Sequence, residues 1–114
     1  MGFLEKKSYD FALRIVQTVQ PLQKQKEFVL SRQLLRSGTA IGALIAESQF
    51  AQSRADFASK LQIALKEASE TRYWIRLLRD SSYLTAEEAD ALISENEELI
   101  SILVKSIKTS KAGQ

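Results

Sequence analysis

The sequence predicts an all-α protein, an antiparallel up-down four-helix bundle in a single domain. Three observations carry that expectation. Breakers are scarce, with four Gly and one Pro in 114 residues, which favours long helices over a many-turned β fold. Apolar residues recur at three- and four-residue spacing along most of the chain. The polar stretches between these periodic segments are short, so consecutive helices become antiparallel neighbours. A chain of this length holds one domain.

The first helix is expected over about residues 4–22, where Leu4, Phe11, Ile15 and Val19, with Ala12 and Val16, share helical spacing. Pro21 and the run QKQK mark its end, and Phe28 and Leu30 are expected to turn inward from the connection. The second helix is expected over 31–52, with Ser31 as its N-cap because a serine hydroxyl accepts from a free backbone N–H. Ser53 is the expected cap of the third helix, 54–79, with Asp56 suited to the free N–H groups and the dipole of its first turn. Thr85 and Glu88 form a capping box that opens the fourth helix, 86–108, and the polar tail 109–114 is expected to fray.

The helix faces differ. The fourth is conventionally amphipathic, with Ala89, Leu92, Ile93, Leu99, Ile100, Leu103 and Ile107 on one side. Asn96 falls among them, either fixing helix register from within the core or meeting water at its edge. The third helix carries a core stripe of Phe57, Leu61, Ala64, Ala68, Ile75 and Leu78, and a roughly opposite one of Ile63, Trp74 and Leu77, with Tyr73 beside it. The second helix, around GTAIGALIAES, is small and apolar nearly all round, interrupted only by Arg36, Thr39 and Glu47. A helix apolar on every side is a buried helix, yet a bundle this small leaves part of each helix wet. The simplest resolution is a homo-oligomer, with Ile63, Trp74, Leu77 and Gly42 as interface candidates. Gly38 is expected to serve close packing within the subunit.

Catalytic chemistry finds little support. The chain has no His and no Cys, so imidazole bases, thiolates and the usual zinc ligands are missing. Glu47, Glu67 and Glu70 are carboxylates without the His partner that di-metal bundles use, and ion pairing with Arg36, Lys66 or Arg72 is their expected use. No catalytic residue, metal or cofactor is expected. No apolar run approaches the roughly 20 residues of a membrane helix, and the N-terminus lacks the apolar core of a signal peptide, so a cytoplasmic location is expected. Charge is uneven: residues 1–79 carry 13 Lys/Arg and 7 Asp/Glu, whereas residues 80–114 carry 3 and 7. Arg72, Arg76 and Arg79 lie on one helical stripe and, with Arg36, are the candidates for contacting nucleic-acid phosphates. The competing expectation is that the acidic fourth helix folds back and neutralises them.

Two stretches, LSRQLLRSGTAIGALIAES (Leu30 to Ser48) and SRADFASKLQIALKEASETRYWIRLL (Ser53 to Leu78), resemble the bacterial four-helix-bundle proteins called 23S rRNA intervening-sequence proteins. The matching motifs are Q-L-x-R-S at Gln33 to Ser37, N-I-A-E at Leu44 to Glu47, S-x-x-D-F at Ser53 to Phe57, and K-E-A-x-E-x-x-Y-W at Lys66 to Trp74. The resemblance covers roughly residues 3–108 and departs at Leu44, where the family often has Asn. It implies a bundle encoded in or outside intervening sequences of large-subunit ribosomal RNA genes, with a largely undefined biochemical role. Similar accessory proteins of retroelements form pentameric barrels that engage nucleic acid, so the resemblance implies a homopentamer with RNA, DNA or a protein as partner. The expected function is a non-enzymatic oligomeric nucleic-acid-associated accessory protein. The alternative is an oligomeric protein–protein scaffold.

Overall fold

The computed structural model describes residues 2–112. Four helices follow one another: α1 (Phe3–Lys24), α2 (Val29–Ser48), α3 (Arg54–Asp80) and α4 (Ala86–Ala112). They form a rod of 48 × 21 × 20 Å. At about 1.5 Å per residue, the 27-residue α3 and α4 run most of its length. Neighbours in sequence pack closely, whereas α1 and α4 approach each other less closely. Lys7 to Glu98 at 2.5 Å and Arg14 to Glu95 bridge that last seam.

The core follows the sequence stripes. Phe11, Ile15 and Val19 of α1, Leu34, Ile41 and Ile45 of α2, Leu61, Ile75 and Leu78 of α3, and Leu92, Leu99 and Leu103 of α4 are all buried. Each such side chain contributes about 1.5–3 kcal/mol by leaving water. The glycines of α2 set the α1–α2 distance. A Cβ on Gly38 would come within 2.9 Å of Ile15 Cγ1, and one on Gly42 within 3.3 Å of the Ser8 carbonyl oxygen. The contact that offsets glycine's low helix propensity is therefore inside the subunit at both positions, including Gly42, assigned from sequence to an oligomer interface. Asn96 is fully buried, its amide donating to the Ala68 carbonyl at 2.9 Å while Oδ1 has no partner among the described residues.

The helix ends show where local sequence rules held. Ser53 Oγ accepts from Asp56 N at 3.1 Å, and Thr85 with Glu88 completes the reciprocal box at 3.0 and 3.1 Å. Ser31 is not a cap. α2 starts two residues earlier, and the Glu27 carboxylate takes the free amides of Leu30 and Ser31 at 2.7 and 3.1 Å. α2 ends at Ser48 rather than near Gln52, and Phe28 stays exposed. α1 runs through Pro21 to Lys24 and stops at Lys26, whose φ of 67° places it in the left-handed region. Ser82, φ 71°, ends α3 in the same way, with Tyr83 N donating to Leu78 O at 2.9 Å. α4 continues to Ala112 instead of fraying after Lys108. Buried Ile107 anchors the last turns, and a lysine near a helix C-terminus complements its dipole. The end of the expected frayed tail, residues 113–114, lies outside the described residues.

Candidate functional site

The four arginines singled out in the sequence do not form one patch. Arg72, Arg76 and Arg79 line a shallow groove between α3 and α4 with Asp90, Ile93 and Ser94. Two of the three are engaged by acids: Arg72 meets Glu97 at 3.2 Å, and Arg79 meets Asp80 at 3.0 Å and Asp90 at 3.2 Å. Asp80, then Asp90, hold the Arg79 guanidinium above its ordinary pKa. Arg76 is exposed and has no acid within ion-pair distance among the described residues. The neutralisation expected as the alternative is thus what the geometry does for Arg72 and Arg79.

Arg36 belongs to the other flank of α3. Its guanidinium spans Glu67, at 3.1 Å, and Glu70. Glu70 also accepts from the Trp74 indole N–H at 2.9 Å, and that bond, followed by Arg36, keeps its carboxyl below the ordinary value. Just inside, the hydroxyls of Thr71 and Ser37 lie 3.0 Å apart and fully buried. The segments Gln33–Ser37 and Lys66–Trp74 therefore meet as one polar seam that holds α2 against α3. Glu47, in turn, lies 3.8 Å from Lys60. The three carboxylates examined as a metal set are divided between two separate ion-pair systems.

Of the interface candidates, Ile63 is 41% exposed. Leu77 is half-buried, and Trp74 is half-buried against the core with its N–H occupied. The larger bare surface is elsewhere. Helical spacing puts Tyr9, Leu13 and Val16 on the outer side of α1 and Ala43 and Ala46 on the outer side of α2, and all five are exposed. Phe50 follows in the α2–α3 turn, 87% exposed. Residues 37–46 carry no charge, and the one charge in residues 11–23, Arg14, turns away to Glu95. The sequence reading covered the α2 half of this face and grouped Val16 with Phe11, Ile15 and Val19 by helical spacing alone. The available signal was the 9, 13, 16 spacing, a second apolar stripe on α1.

The geometry defines a small all-helical bundle in which most polar side chains on the seams hold one helix to the next. The chain belongs to the 23S rRNA-intervening sequence protein family, whose profile matches residues 4–105. It is similar to the crystal structure of a protein of unknown function from the S23 ribosomal protein family of Bacteroides thetaiotaomicron VPI-5482. That likeness has a TM-score of 0.89 and 49% identity over 92% of this chain and 98% of the other. No curated protein matches. No helix among the described residues is long and apolar enough to cross a membrane.

Proposed function

We propose that the protein is a non-enzymatic, self-assembling bundle that acts as a nucleic-acid-associated accessory protein, pooling modest positive charge over several copies. The observation that supports it is the bare apolar face of α1 and α2. Tyr9, Leu13, Val16, Ala43, Ala46 and Phe50 lie where a folded monomer would leave them in water. A stable interface takes about 800 Å² from each partner, roughly an eighth of this chain's 6760 Å² surface. A closed ring joins two different patches; on α3 the exposed large apolar side chains are Ile63 and Tyr73, about 15 Å apart along the helix axis. A ring of five is the number carried over from the resemblance.

The test is light scattering at micromolar concentration on the unmodified protein and on Leu13→Glu with Ala43→Glu. Assembly of the first and a folded monomer for the second is expected. A monomer mass for the unmodified protein would refute the self-assembly. The protein-scaffold alternative is favoured by the ion-paired Arg72, Arg79 and Arg36, and it prevails if the assembled protein binds neither RNA nor DNA at low salt.

A further inference from the structure

Charge along α4 changes sign midway. Residues 80–98 hold seven acids and no cation, and residues 99–112 hold three lysines and no acid. The acidic half supplies partners to Lys7, Arg14, Arg72 and Arg79. The basic half is left uncompensated: Lys105, Lys108 and Lys111 are exposed, and the ion pairs of the described residues include none of them. α4 here faces the first turn of α3, and between them runs an open groove lined by Arg54, Phe57, Lys105, Ser106, Thr109 and Ser110.

Helix-dipole stabilisation accounts for Lys108 and Lys111 in the last turns of α4, but not for the whole cluster. Lys105 lies two turns from the end. Arg54 is the first residue of α3, where the dipole disfavours a cation, and the nearby acid Asp56 is occupied in accepting from Gln52 N at 3.1 Å. A locally unfavourable, unpaired charge is a sign of a role outside the fold.

Resting on the nucleic-acid reading above, we infer that this groove and the lysine row leaving it form the contact for single-stranded nucleic acid. Arg54 and Lys105 would hold a phosphate at the groove, with the Ser106, Thr109 and Ser110 hydroxyls as further donors. Half-buried Phe57 on the floor offers a face for a base to stack on. Lys108 and Lys111 follow at three-residue steps, about 4.5 Å of helix axis each, so the charges make a track. A repeating polyanion uses all of it; an isolated phosphate uses only its start.

The experiment titrates the full-length protein into a labelled 20-nucleotide single-stranded RNA at low salt. The variants are Lys105→Gln/Lys108→Gln/Lys111→Gln and, for comparison, Arg72→Gln/Arg76→Gln/Arg79→Gln. All six positions are on the surface, and circular dichroism with light scattering checks fold and assembly. The lysine variant should lose tenfold or more in affinity, and its log–log salt slope should fall by about 2, at ~0.7 per lost phosphate contact on a single strand. The arginine variant should lose less than threefold. Binding by the unmodified protein that the lysine variant retains in full would overturn the site and leave the nucleic-acid reading standing. Absence of binding by the unmodified protein would overturn both. Displacement of the RNA by polyglutamate as readily as by unlabelled RNA would overturn the assignment of the ligand to nucleic acid.

Discussion

Replacing Gly38 by Ala sets two effects of similar size against each other. Alanine gains about 1 kcal/mol over glycine inside a helix. Its Cβ would stand 2.9, 3.0 and 3.2 Å from Ile15 Cγ1, Cγ2 and Cδ1, well inside the ~3.5–4.0 Å at which carbons sit comfortably. Ile15 is fully buried and, being β-branched in a helix, has one favoured χ1, so it cannot swing aside. Overpacking of this kind costs about 1–3 kcal/mol, which outweighs the propensity gain and leaves Gly38→Ala destabilising by roughly 0–2 kcal/mol. Ile15→Ala alone should cost about 2–5 kcal/mol. In the double variant the clash is gone and the propensity gain remains, so Gly38→Ala should stabilise by about 1 kcal/mol in that background. The assay is urea denaturation followed by circular dichroism for all four proteins at one protein concentration. A Gly38→Ala effect equal in both backgrounds, within about 0.5 kcal/mol, would refute the claim that Ile15 is what glycine makes room for.

Three further outcomes are expected. Asn96→Leu removes a buried oxygen that has no partner among the described residues, which costs about 1–3 kcal/mol, and also the Nδ2 bond to Ala68 O, worth about 0.5–1.5 kcal/mol, so it should be neutral to stabilising by about 2 kcal/mol; a loss beyond about 1.5 kcal/mol on urea denaturation would refute the claim that Oδ1 is unpaired. Ser82→Gly, at φ 71°, should be neutral to stabilising by about 1 kcal/mol in thermal denaturation, because an L side chain is strained in the left-handed region. Glu70 is held below its ordinary value of 4.5, so its contribution is present above that pH and lost as pH falls through the lowered value; Glu70→Gln should flatten the stability profile there in acid denaturation.

The four helices were legible because their apolar spacing is long and regular, and Ser53 and Thr85 because local capping chemistry decided them. The end of α1 was not, because the left-handed position is filled by Lys26, not Gly or Asn. Ser31 misled because Glu27, outside the expected pattern, reaches the same amides. For the candidate site, sequence gave the arginine stripe of α3 but not its partners, since Glu97 and Asp90 reach it only through tertiary packing. The α4 lysine row was visible in the sequence as well, but its lack of acidic neighbours is a property of the fold.

The seam between α1 and α4 is the most loosely packed of the four: Phe11 and Ile15 share one apolar core with Leu92 and Leu99, and two ion pairs run along its rim. Added salt weakens the partly exposed ion pairs of this seam and those of the α2–α3 and α3–α4 seams alike, but the other seams keep closer helix packing. Sub-global opening should therefore begin along the α1–α4 seam, and hydrogen exchange at α1 and α4 amides should quicken with ionic strength before α2 and α3 respond.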